Sequence, residues 1–185
     1  FECVTLLDTS RWPTSGGSVN LDFSNGVDTF AIRIDSDTDL NGTPPPTSKW
    51  LNITGIGGQF DSSDPRNSGY QLFPRYIADV VELGNPAVSF GTANDTVGEA
   101  GATVSVAIDI TNGNPDTTSV TVSLAAANSK ATEGSDFTFS DVTLDFNGCG
   151  AGNASFDVTI TDDVDVEGDE TIVLVVSTVT NNAEV

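Results

Sequence analysis

Short runs of alternating β-branched residues, cut every few positions by Gly, Pro, Asn, Asp or Ser, constrain this chain more than any other feature. Val104, Val106, Ile108 and Ile110 lie on one side of an extended backbone, with Thr103, Ser105, Ala107 and Asp109 on the other. Successive strand side chains point to opposite faces, so such a segment buries one face and wets the other. Val120, Val122 and Leu124 repeat the pattern, as do Phe156, Val158 and Ile160. Thr171 to Val176 is apolar on both faces, which predicts a central strand. No stretch long enough for a helix carries apolar residues at the 3.6 period. The fold class expected is all-β, and short strands at this spacing predict a sandwich.

Charge narrows the function classes. The chain has 27 acidic residues against 6 basic ones, a formal net charge of −21. Nucleic acid and anionic membranes need cationic patches, so neither is an expected partner. The longest wholly apolar run, Ile172 to Val176, falls far short of the ~20 residues that span a bilayer, so no membrane insertion is expected. A hydrophobic content of 37% with clear periodicity argues for a folded acidic domain rather than disorder. The chain has no His. That removes Ser-His-Asp and Cys-His catalysis and the HExxH zinc site. Cys3 and Cys149 cannot fill a tetrahedral zinc site. Nothing in the spacing of the two brings them within the ~7 Å that a disulfide demands, so they are expected to be unpaired. The start at Phe1, without Met or a visible signal peptide, reads as a mature chain or a piece of a longer one.

A linker is expected at Leu83-Gly84-Asn85-Pro86, dividing the chain into residues 1–86 and 87–185. The first part holds 5 bases and 11 acids (−6), and the second 1 base and 16 acids (−15). In the first part strands are expected at 2–7, 18–23, 29–34, 50–56 and 70–83.

The acids of the second part are not spread evenly, and several cluster in loops. Glu99 precedes the strand 102–111, Asp136 follows the strand that ends near Ala126, and Asp162 and Asp163 follow the strand 156–161. Take the end holding Glu99 as the bottom. The strands then run up, down, up through one bent traverse (137–146), and down again. Glu99, Asp136, Asp162 and Asp163 therefore meet at one rim. Two carboxylates ~4 Å apart repel by ~1 kcal/mol in water and by ~4 at an effective dielectric near 20. A cation removes that cost. Calcium takes six to eight oxygens on flexible loops, whereas magnesium demands a tight octahedron. Calcium (Ca2+) is the expected ion.

Several spaced motifs together resemble the Calx-beta domain. They are Val88-Ser89-Phe90, Val97-Gly98-Glu99, Ala131-Thr132-Glu133-Gly134-Ser135-Asp136-Phe137, Leu144-Asp145-Phe146, Val158-Thr159-Ile160-Thr161-Asp162-Asp163 and Glu167-Gly168-Asp169-Glu170. The resemblance implies an immunoglobulin-like sandwich, as in sodium–calcium exchangers and many extracellular bacterial proteins. It also implies calcium ligands at Glu99, Asp136, Asp162, Asp163 and Glu167. Members of that family usually close with a further strand ending in an acidic run, which is expected to come after Val185 or from a neighbour by strand addition. One calcium ion is therefore expected rather than several.

In the first part, Trp50-Leu51-Asn52-Ile53-Thr54-Gly55-Ile56-Gly57-Gly58-Gln59-Phe60 and Gly69-Tyr70-Gln71-Leu72-Phe73-Pro74-Arg75 resemble the last strands of OB-fold-like modules of secreted bacterial proteins. That implies a partial OB-like barrel, with its first strand expected before Phe1. Trp12, Trp50 and Tyr70 are expected to pack in its core, with stacking on a sugar as the alternative. Asp37, Asp39 and Asn41 match the first half of an EF-hand loop, D-x-D-x-N-G. The twelfth position is Ser48 rather than Glu, and Pro44-Pro45-Pro46 excludes the exiting helix, so an Asx-rich turn or a partial calcium loop is expected.

The function expected is a calcium-binding, non-catalytic segment of a secreted or cell-surface multidomain protein, serving adhesion or as a stalk. Its partners would be a surface protein or glycan and neighbouring domains. The alternative is a carbohydrate-binding accessory module of an extracellular enzyme. Paired carboxylates can hydrolyse glycosides, but no cleft or catalytic constellation is evident.

Overall fold

Each alternating run becomes a strand with its apolar side turned inward. The computed structural model describes residues 1–100, 102–164 and 168–185. They divide into two units, Phe1–Gly84 and Asn85–Val185.

The first unit contains β1 (Thr5–Leu6), β2 (Val19–Ser24), β3 (Thr29–Ile34), β4 (Leu51–Ile53), β5 (Ile56–Gln59), β6 (Tyr70–Phe73) and β7 (Val80–Glu82). One sheet runs β1-β2-β3-β6-β5, and β4 pairs with β7. Neighbours are antiparallel except β3 and β6, which are parallel. A bridge from Val4 to Leu51 ties the start of the chain to β4. Leu21, Phe23, Ile32, Ile34, Leu51 and Ile53 fill the core, with Trp12 and Leu40 contributed by loops. Burying each large apolar side chain gains ~1.5–3 kcal/mol. Exposed ion pairs such as Arg11–Asp22 at 3.9 Å contribute ~0–1 kcal/mol, so the core and not the ion pairs holds the unit.

Two long strands expected in this unit are each broken. The run 50–56 divides between β4 and β5 at Thr54-Gly55, where a side chain at Gly55 would strike the Phe73 carbonyl. The run 70–83 divides because Pro74 cannot donate to a ladder. Asp79 then accepts hydrogen bonds from the amides of Arg75 (2.8 Å) and Tyr76 (3.4 Å), which fixes a single 3₁₀ turn before β7.

The second unit contains β8 (Ala87–Phe90), β9 (Thr103–Gly113), β10 (Thr118–Leu124), β11 (Phe137–Thr138), β12 (Val142–Phe146), β13 (Gly150–Ile160) and β14 (Leu174–Val179). Two sheets result, β11-β13-β9-β8 and β12-β10-β14. Val88, Ile108, Ile110, Val120, Val122, Phe137, Phe156 and Val158 form the core between them. The chain changes sheets between β11 and β12, which is the bent traverse the strand count requires. At the upper end, Asn181 Nδ2 donates to Asn114 Oδ1, the Asp116 carbonyl and Thr118 Oγ1 at 3.0–3.1 Å. That satisfies the polar atoms enclosed there.

Thr171 to Val176 is not central. Among the described residues β10 is the middle strand and β14 lies at the edge. Its outward Val175 is 39% exposed, so the two-sided apolar pattern does not mark a strand enclosed on both sides. Beyond β14 the chain crosses to the other sheet. The Val88 amide donates to the Glu184 carbonyl at 2.7 Å, and Glu184 lies parallel to β8.

Neither cysteine is a free thiol, because both are oxidised to disulfide. This corrects the expectation of unpaired cysteines. Disulfide formation depends on approach in space, which spacing along a chain does not reveal.

Candidate metal centre

Three loops of the second unit are laced together at its lower rim by backbone hydrogen bonds. The Ile160 amide donates to the Ala102 carbonyl at 2.8 Å, which brings the end of β13 to the segment carrying Glu99. The Thr161 amide donates to the Asp136 carbonyl, also at 2.8 Å, continuing the β11–β13 register of Phe137 with Ile160. The amides of Lys130 and Ala131 both donate to the Thr171 carbonyl, at 2.8 and 3.2 Å. That places Glu170 against the loop that leads to Asp136.

Asp136 is the best anchored carboxylate of the rim. Its loop turns at Gly134, whose φ of 91° suits glycine. Asp136 Oδ2 accepts the Thr132 amide at 2.5 Å, and the Asp136 amide returns a bond to the Thr132 carbonyl at 3.0 Å. The side chain is half-buried and is held in one position by its own loop.

Glu170 faces it. Its carboxyl is held above the ordinary glutamate range. Desolvation by the surrounding loops is the first cause. The Asp136 charge, a hydrogen bond shared with the Asp136 carboxyl, and the Glu99 charge add to it, while Lys130 opposes. Carboxyls from three loops are thus in electrostatic contact.

Of the residues expected as ligands, Asp136 and Glu99 each act electrostatically on Glu170. Asp162 and Asp163 follow Thr161 directly and are exposed at the same rim. Glu167 lies outside the described residues. Glu170 was not among the expected ligands. The Glu167-Gly168-Asp169-Glu170 motif carried it, but which of its acids turns toward Asp136 depends on the pairing of Thr171 with Lys130 and Ala131. Among the described residues, no three acidic side chains form a ready-made metal cage.

The donor set consists of carboxylate oxygens alone, with no thiolate or imidazole. It fits a hard divalent cation and calcium in particular. Its all-oxygen chemistry is the observation that favours this fit. The rim gathers more negative charge than its one nearby cation, Lys130, offsets.

The EF-hand-like segment is arranged differently. Asp39 Oδ1 accepts the Ile77 backbone amide at 2.6 Å, and Asn41 Nδ2 donates to the Gly17 carbonyl at 2.8 Å. Leu40 between them is buried in the core. Asp37 shares the Ser36 hydroxyl with Asp35. These contacts are those of a structural turn. Trp12 and Trp50 are buried, at 5% and 8% exposure, but Tyr70 is 67% exposed and so is not the core residue expected.

No curated protein shows detectable sequence similarity to the chain. The profile of the Calx-beta domain family matches residues 84–185.

Proposed function

This chain belongs to the Calx-beta domain family, and from that premise we propose that its second unit is a calcium-stiffened, non-catalytic segment of a secreted or cell-surface protein, used for adhesion or as a stalk. The family is one of calcium-binding and adhesion-type β-sandwich domains of multidomain proteins, and it is not catalytic. One observation carries the reading: backbone hydrogen bonds from Ile160 to Ala102, Thr161 to Asp136 and Lys130 to Thr171 draw the acidic loops to one rim.

In this reading Glu99, Asp136, Asp162, Asp163 and Glu167 hold the ion together with Glu170. Calcium would offset the repulsion among the loops. The segments before β9, between β10 and β11, and between β13 and β14 become one rigid rim. A module that stiffens this way transmits force without doing chemistry. The edge of β8 beside Glu184 is where a neighbouring strand would add, running toward the rim.

The oxidised state of Cys3 and Cys149 supports the extracellular setting, because disulfides persist in oxidising compartments. For the first unit we propose an OB-like barrel. The sheet order β1-β2-β3-β6-β5, the parallel β3–β6 pair and the Val4–Leu51 bridge support it.

Thermal unfolding with and without calcium tests the calcium reading. An extracellular site with a Kd of ~0.1 mM, at ten times that calcium level, stabilises by about 1.4 kcal/mol. That raises the midpoint by roughly 6–11 °C for a unit of this size. Asp162→Asn with Asp163→Asn should remove the rise. An unchanged midpoint at millimolar calcium would sink the proposal.

A further inference from the structure

We propose that Asn147 is a self-modifying site: its carboxamide cyclises onto the backbone nitrogen of Gly148 and then hydrolyses to aspartate and isoaspartate, with water as the only co-reactant. The chain holds four Asn-Gly pairs, beginning at Asn25, Asn41, Asn112 and Asn147, and the fold treats them differently.

The chemistry sets the requirements. The glycine nitrogen loses its proton and attacks the asparagine Cγ. A new N–Cγ bond closes a succinimide ring, the Cγ–Nδ2 bond breaks, and Nδ2 leaves as ammonia with a proton from solvent. Water then opens the ring. Breaking the new N–Cγ bond gives aspartate. Breaking the original peptide C–N bond gives isoaspartate, whose main chain runs through the former side chain. Glycine favours the attack because no Cβ shields its nitrogen. A hydrogen bond on that amide opposes it, since a held proton is released only when the structure opens locally.

Three of the pairs are restrained. The Gly42 amide donates to the Pro13 carbonyl at 2.7 Å, and Asn41 Nδ2 donates to the Gly17 carbonyl at 2.8 Å. The Gly26 amide donates to Ser24 Oγ at 3.0 Å. Gly113 is buried opposite Gly150 in the β9–β13 ladder, where a built Cβ would lie 2.8 Å from the Gly150 carbonyl oxygen.

Gly148 is the exception. Its amide donates to no acceptor among the described residues. It is exposed in the turn between β12 and β13 at a φ of 124°, and nothing lies within 4 Å of a Cβ built on it. Thr117 Oγ1 donates to Asn147 Oδ1 at 2.6 Å. That hydroxyl meets the oxygen that gathers negative charge when Cγ is attacked, and a donor already in place lowers such a barrier. A free nucleophile and a polarised carboxamide coincide at this pair alone among the four.

The test incubates the full chain at mildly alkaline pH, folded and in denaturant, and maps aspartate and isoaspartate peptide by peptide. In denaturant the four pairs should convert at similar rates. In the folded chain Asn147 should convert at least about tenfold faster than the other three. Thr117→Val should slow it by at least about tenfold in the folded chain only, whereas Thr117→Ser, which keeps the donor, should not. Circular dichroism confirms that both variants are folded. Equal folded rates at the four pairs overturn the proposal, and so does an unchanged rate in Thr117→Val. The turn lies at the end of the sandwich opposite the acidic rim, so either result leaves the calcium reading where it stands.

Discussion

Replacing Gly55 by alanine should destabilise the first unit, whereas the same change two residues later should not. A Cβ at Gly55 would sit 2.6 Å from the Phe73 carbonyl oxygen, 2.7 Å from its carbon and 2.9 Å from Leu72 Cγ. Comfortable carbon contacts lie near ~3.5–4.0 Å. Two of the three atoms belong to the backbone of β6, which is fixed by its pairing with β5 and β3. Relief therefore requires the strands to separate, and overpacking of this kind costs ~1–3 kcal/mol. At Gly57 the added methyl meets nothing within 4 Å. There alanine only restricts the unfolded chain, a gain of ~0.4–1 kcal/mol. For a unit of this size each kcal/mol moves the midpoint by ~4–8 °C. Gly55→Ala should thus lower it by roughly 4–24 °C and Gly57→Ala raise it by roughly 2–8 °C. Both tryptophans lie buried in the first unit, so intrinsic fluorescence reports this transition selectively. Equal midpoints for the two variants, or a rise in both, would refute the steric account.

Phe137→Ala should destabilise the second unit by ~3–5 kcal/mol, read by circular dichroism in denaturant, because the ring is fully buried between the sheets where β11 begins. Glu170 sets a pH dependence. Its folded carboxyl titrates above the unfolded value, so its contribution to stability is complete below the unfolded pKa and is lost as pH rises through the folded one. In chelator the second unit should therefore lose stability across that rise, and Glu170→Gln should flatten the profile. Thiol titration of the unfolded, unreduced chain should detect no free thiol, against two after reduction.

The all-β class and most strand positions were legible because period-two alternation survives any tertiary arrangement. Val104 to Ile110 and Phe156 to Ile160 needed only the pleat. Convergence of the acidic loops was legible too, since antiparallel strands fix which end each loop occupies. What stayed hidden depended on neighbours in space. Gly55 breaks a strand because of Phe73, which lies on β6. Whether Val173 and Val175 are covered depends on what flanks β14, not on their hydrophobicity. Glu170 joins Asp136 through the backbone pairing of Thr171 with Lys130. Tyr70 resembles a core residue in sequence but lies at the end of β6, paired only with Gln59 of β5, and stays exposed.

Calcium titration of the full chain by calorimetry tests the central claim most directly. Wild-type protein should bind with a Kd in the ~10⁻⁴–10⁻³ M range of extracellular modules. Asp136→Asn together with Glu170→Gln should abolish the binding signal while circular dichroism stays unchanged. No heat of binding in the wild type, or full binding by that double variant, would contradict the assignment of the rim as a calcium site.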